Sequence, residues 1–252
     1  MRKLLTLFGI LTPVFIFAQE NEGSVIYEAT TKIEINFEGD ADMENIKSML
    51  PSSHTAKKQL LFNQSATLYS SYEGDKDEDS GPIQLAGESS TIVFKMEMSR
   101  PNNKVYRWLA DGLVIEKREF MGKNFLISDS KKTPWKLTGE KKTILDYSVQ
   151  QAIWDDSTRT IVAWFTPQIP ISSGPENYGG LPGLIMEVDI DNGRQVVTAT
   201  EIKYYLVAKA EMKAPNKGKE VTREEFKAIM AEKMEEMKEM GGGNRFIIKS
   251  RH

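Results

Sequence analysis

The sequence predicts a mainly β fold: a single antiparallel curved sheet or open barrel with a C-terminal amphipathic helix. Three observations carry this. Residues in the middle of the chain alternate between apolar and polar, as at Ile33, Ile35 and Phe37, which is the period of a strand. Turn formers separate such segments at short intervals: Asn102-Asn103, Asp111-Gly112, Met121-Gly122, Asp155-Asp156-Ser157 and Asp191-Asn192-Gly193. Helical spacing is confined to two places, and no helix–strand alternation suggests a doubly wound sheet.

Residues 1–18 have the make-up of an export signal. Arg2 and Lys3 form a basic start, an apolar run follows, and Ala18 offers the small residue that a signal peptidase requires. As a membrane anchor the run is short for a bilayer of about 30 Å, and Pro13 interrupts it. Cleavage after Ala18 leaves 19–252 as a single domain. No later apolar run approaches about 18 residues, so the mature chain is expected to be exported, periplasmic or extracellular, and not membrane-spanning.

Strand candidates follow at 24–37, 59–72, 91–98, 104–109, 113–120, 123–128, 143–152, 160–165, 184–190 and 195–207, and their order implies an antiparallel meander. A short helix is expected at 42–50, ending before Pro51. A stronger one runs over 223–240. Thr222 and Glu225 form a capping box at its start, Gly241-Gly242-Gly243 ends it, and Phe226, Met230, Met234 and Met237 mark one apolar face. Residues 244–249 add a last strand or a tail. The polar segments 73–81 and 213–219 read as mobile loops.

Composition excludes several classes of function. The chain has 252 residues, 33 Lys+Arg, 36 Asp+Glu, two His and no Cys. Without thiols there is no Cys nucleophile, thiolate metal site or redox pair. A formal charge of −3 gives no footprint for nucleic acid. The basic pairs Lys131-Lys132 and Lys141-Lys142 are diluted by Asp129 and Glu140 and read as exposed hairpin ends.

Residues 180–185 spell G-L-P-G-L-I. Before them stand Ala163-Trp164-Phe165-Thr166, Ile169-Pro170 and Gly174-Pro175. This layout resembles the GLPGLI family of exported proteins, most clearly over 135–191. The resemblance implies export, a mostly β fold and no catalytic set. Members often carry a Cys near the position of Val149, so any role of that thiol is absent here. Read physically, Leu181-Pro182-Gly183-Leu184 fits a type II turn, with Pro182 presetting φ and Gly183 accepting a positive one. Pro167, Pro170 and Pro175 keep the incoming segment out of a central ladder. The segment is then either a rigid crossover or a preorganised binding rim made of Trp164, Phe165, Tyr178, Leu181, Pro182 and Gly183.

Other candidate chemistry is thinner. Asp75, Asp77 and Asp79 start a calcium-loop pattern, but Ser80 and Ala86 stand where Gly and Glu are needed. His54 and His252 are too few for a zinc site, and no nucleophile elbow, phosphate loop or dinucleotide fingerprint occurs. Asp155-Asp156 reads as a turn and not as a catalytic carboxylate pair. Met96 and Met98 share one strand face, and Met230, Met234, Met237 and Met240 one helix stripe. Thioethers suit Cu(I), but such a stripe also packs as a core face. The expected function is that of an exported, non-catalytic cell-envelope protein binding a hydrophobic or peptide-like ligand or an envelope partner. The alternative is a copper-handling protein using the methionines, and no other cofactor is implied.

Overall fold

The computed structural model describes residues 22–33, 52–74, 83–86, 91–94, 103–130, 132–156 and 158–240. The export signal, the 42–50 helix, Met96, Met98, most of the 73–81 loop, the triglycine stop and the 244–249 segment lie outside the described residues.

The strands in chain order are β1 (Gly23–Lys32), β2 (Ser53–Phe62), β3 (Ala66–Ser71), β4 (Ile83–Ala86), β5 (Thr91–Phe94), β6 (Lys104–Trp108), β7 (Val114–Phe120), β8 (Lys123–Asp129), β9 (Lys136–Ile144), β10 (Tyr147–Asp156), β11 (Arg159–Thr166), β12 (Leu184–Ile190), β13 (Gln195–Tyr204) and β14 (Lys219–Thr222). One helix follows, α1 (Arg223–Met240). Twelve strands form one open sheet in the order β14-β8-β7-β6-β3-β2-β1-β13-β12-β11-β10-β9, and β4 and β5 pair in a separate two-stranded sheet. The mainly β architecture is therefore as expected, and the sheet is open.

The simple meander is not. β1 lies between β2 and β13, near the middle of the sheet. β3 pairs with β6 across the intervening β4–β5 hairpin. β14 runs parallel to β8, where only antiparallel pairs were expected.

Two predicted strands are in fact hairpins. The 59–72 segment divides at Asn63, whose side-chain oxygen accepts the N–H groups of Ser65 and Ala66, both at 2.9 Å. An Asn that bonds the backbone two or three residues on closes the chain into a turn. The 143–152 segment divides at Leu145 and Asp146, both with positive φ (48° and 65°). Two successive left-handed residues match the twist of a tight hairpin. The expected turn at Met121-Gly122 is of the same kind, with φ of 51° and 73°.

The register sets one long buried row across seven strands, apolar but for Glu116. Val25 faces Leu60, Leu60 faces Tyr69, Tyr69 faces Val105, Val105 faces Glu116, Glu116 faces Ile127, and Ile127 faces Val221. All seven are buried. Opposed residues on adjacent strands share a face, so this row defines one side of the sheet.

That side is concave. β3 and β12 stand four places apart, which in a flat sheet is roughly 19 Å. Yet Ser173 reaches both: its carbonyl accepts Ile185 N–H at 2.9 Å and its hydroxyl lies 2.8 Å from that of Thr67. The sheet must fold over on itself. Its convex side, at Ala66, Leu68 and Tyr106, is covered by Val207 and Met212 from the stretch after β13.

Helix α1 closes the β14 end. The capping box forms as expected: Glu225 N–H donates to the Thr222 hydroxyl at 3.1 Å, and Thr222 N–H donates to the Glu225 carboxylate at 2.7 Å. Phe226 packs edge-on against Phe125 and Phe120. Arg223 bonds Glu116 at 2.8 Å and Asp129 at 2.7 Å, and Arg118 also pairs with Glu116. Burial alone would push the Glu116 carboxyl up, but the two guanidinium groups outweigh it and hold it below the usual carboxylate range.

Candidate functional site

The crossover from β11 to β12, residues 167–183, carries the hexapeptide. It advances in tight steps. Ile171 N–H bonds the Ile169 carbonyl at 2.8 Å, Ser173 N–H bonds Ile171 at 2.7 Å, and Gly183 N–H bonds Leu181 at 2.8 Å. Each is a bond between residues two apart, a γ-turn, and two of the three centre on prolines, Pro170 and Pro182. Proline's fixed φ is close to the value such a turn needs.

The expected type II turn at Leu181–Leu184 is thus replaced. Leu184 N–H does not return to Leu181 but donates to Ile169 at 3.0 Å. Gly183 has φ of 148°, and a Cβ there would lie 2.0 Å from the Thr166 carbonyl oxygen. Only glycine lets the end of β11 and the start of β12 approach so closely.

Four hydrogen bonds pin the crossover and the start of β12 to their surroundings. The Tyr27 hydroxyl donates to the Ile185 carbonyl at 2.7 Å. Thr67 and Ser173 join at their hydroxyls. Arg107 Nη2 donates to the Asn177 carbonyl at 2.6 Å, and the Trp135 indole N–H donates to the Gly179 carbonyl at 2.9 Å. Burial drives the Tyr27 and Tyr69 hydroxyls far above the ordinary tyrosine range, and for Tyr69 the nearby Glu176 charge adds to the effect. Both stay neutral, and Tyr27 acts as a fixed donor. Burial also lowers the Arg107 pKa, partly offset by Asp129.

The six rim candidates divide. Phe165, Tyr178 and Leu181 are buried in one cluster with Ala152, Ala163, Ile185 and Val188, so their apolar surface is used in packing. Gly183 is buried at the close approach. Trp164 is half-buried, with Lys142 Nζ 4.4 Å from its ring centre, and Lys142 in turn bonds Glu187 at 2.6 Å. Pro182 is exposed. The methionines divide too. Met230 packs on the Phe125–Phe226 cluster, whereas Met234 and Met237 are exposed.

Sequence reading passed over Arg107 and treated Trp135 and Trp154 only as neighbours of other features. Trp135 stands 6.3 Å from Trp154 and 6.4 Å from Tyr178, ring centre to ring centre. The strand register places Arg107 opposite Thr67 and Val114, on the concave side. Among the described residues no cluster of three or more His, Asp or Glu could hold a metal ion, and no helix is long and apolar enough to cross a membrane.

The class these features define is an open, strongly curved β-sheet protein with a proline- and glycine-locked strap on its concave face. Residues 155–187, which include the hexapeptide, match a family described as a protein of unknown function (Porph_ging). Two solved structures of PNGF-II, in different space groups, are similar in fold. One has a TM-score of 0.51 at 17% identity, covering 83% of this chain. The other has a TM-score of 0.49 at 17% identity, covering 82%. The chain spans 33% of the length of each PNGF-II chain. No curated protein matches it in sequence.

Proposed function

We propose that this is an exported, non-catalytic protein of the cell envelope, which binds a peptide-like ligand or an envelope partner at the rim beside its strap. The observation that carries this reading is the position of the tryptophans. All four in the chain, Trp108, Trp135, Trp154 and Trp164, are half-buried and none is fully buried. Large, rigid aromatic rings with one wet side are the groups that anchor protein contacts. Trp135 and Trp154 stand edge to face beside Tyr178, on a support held by the Gly179 bond. The strap covers the concave face near Tyr27 and Thr67, which favours a contact on the rim over a small hydrophobic ligand in a deep groove.

Photo-cross-linking in intact cells tests this. A photoreactive residue replaces Trp154, and a control replaces exposed Lys209 on the far side. A defined adduct at 154 and none at 209, on a chain that begins at Gln19 and is recovered outside the cytoplasm, is the expected result. Equal labelling at both positions refutes the contact, and a chain that retains residues 1–18 refutes the processing.

A second reading, soft-metal binding, is supported by Met234 and Met237, whose thioethers are not used in packing. Anaerobic Cu(I) competition against a chelator, compared with Met234→Leu/Met237→Leu, decides it. Equal competition by both proteins removes the metal.

A further inference from the structure

We infer that Arg107 is an anion-recognising group at this rim and that the ligand it takes presents a carboxylate, such as the free C-terminus of a peptide. This rests on the binding function proposed above and gives that ligand its chemistry.

Charge pairing on the concave side supports it. Arg223 pairs with Glu116 and Asp129, and Arg118 pairs with Glu116. Arg107 makes no such ion pair, and Asp129, already bonded to Arg223, acts on it only through space. Its two hydrogen bonds go to neutral backbone oxygens, Asn177 at 2.6 Å and Gly112 at a long 3.4 Å. Among the described residues no carboxylate forms an ion pair with it. A guanidinium has five N–H donors in a flat fork. The Nε hydrogen and one hydrogen on each terminal nitrogen are therefore unspent.

The side chain is not fully enclosed, since Arg107 is half-buried. The turns at Gly112 and Gly180 are open at the glycines themselves. A Cβ built at Gly112 or at Gly180 meets nothing within 4 Å. At Gly179 the opposite holds, since a Cβ there would lie 2.8 Å from Arg107 Cζ. The missing side chain lets the guanidinium lie against the strap backbone, next to the carbonyl that holds Trp135.

The combination selects a ligand. Unspent fork donors match the two oxygens of a carboxylate. The Trp135–Trp154–Tyr178 group beside them provides an apolar surface for the residue that bears it. Holding two carbonyls needs donors but not a charge, and burying that charge is costly. A half-buried charge without an ion-pair partner, flanked by aromatic rings, has the make-up of a recognition site.

Affinity capture tests this with the unaltered mature chain. The probes are a pool of short random-sequence peptides with free C-terminal carboxylates and the same pool amidated. The carboxylate pool should be retained about tenfold better or more, the scale of a charge-assisted hydrogen bond. Arg107→Met should lower its retention to that of the amidated pool. Arg107→Lys, which keeps the charge but not the fork, should fall between. Equal retention of both pools, retention of neither, or a carboxylate preference that survives in Arg107→Met overturns the inference. Should Arg107→Met not fold, the comparison of the two pools on the unaltered chain and Arg107→Lys still decide. A cross-linked partner at Trp154 with no carboxylate preference would remove the role of Arg107 and leave the binding function standing.

Discussion

Replacing Gly183 with alanine probes the lock that gives the strap its shape. The new methyl group would lie 2.0 Å from the Thr166 carbonyl oxygen, 2.6 Å from its carbonyl carbon and 2.9 Å from Pro167 Cα. All three are backbone atoms, so no side chain can rotate out of the way. Ordinary contact begins near 3.4 Å, and relief therefore needs a movement of 3.4 − 2.0 = 1.4 Å. That shift would open the Thr166–Leu184 pair that starts β12. Overpacking of this kind costs about 1–3 kcal/mol, and an unfavourable φ about 1–3 kcal/mol more. The expected loss is about 2–6 kcal/mol, a large share of the stability of a typical domain. Gly180 is the internal control, since its φ is also positive, at 86°, but its Cβ would meet nothing within 4 Å. Gly180→Ala should cost only the backbone part, about 1 kcal/mol. Guanidinium denaturation followed by circular dichroism measures both variants. A Gly183→Ala protein as stable as Gly180→Ala would refute the claim that close backbone approach is what requires glycine there.

Two other variants test the attachment of α1. Glu116→Gln leaves Arg118 and Arg223 without their shared carboxylate and should cost about 3 kcal/mol at neutral pH, moderated by the partial exposure of both arginines. Because the Glu116 carboxyl is held below its ordinary range, its contribution is full above that range and is lost as pH falls through the lowered value. Melting curves from neutral to acid pH should thus converge for the two proteins, and parallel curves would count against the ion cluster. Phe226→Ala removes the ring packed 5.2 Å from Phe125 and should cost about 3–5 kcal/mol. Hydrogen exchange should then show α1 opening before the sheet, and unchanged protection of α1 would show that Phe226 does not hold it.

What was legible in the sequence was local. The capping box at Thr222 and Glu225 is read from two residue types at a fixed spacing, and it forms as written. The Met121-Gly122 turn is legible for the same reason. Leu145-Asp146 escaped because leucine carries no turn signal, and its positive φ is imposed by the hairpin on either side. Asn63 escaped because the apolar residues around it continue in strand rhythm through the turn. β9 was missed for a different reason. It is an edge strand with mostly exposed, charged positions, so burial leaves little imprint on its composition. The hexapeptide drew attention to the right segment, but Pro182, at the centre of a γ-turn, was taken for part of a wider type II turn, and Pro170, at the centre of another, for extended chain. Arg107 could not have been singled out, because its unmatched charge follows only from which carboxylates the fold assigns to other arginines.

The central place of β1 bears on how such a chain is made. Its pairing with β13 joins Gly23 to Tyr204, so the middle of the sheet stays unfinished until some 180 later residues have been delivered. In a chain made amino end first, β1 appears early, and one of its two sheet neighbours appears only near the end of synthesis. The wiring thus postpones completion of the sheet's middle until most of the polypeptide has been made.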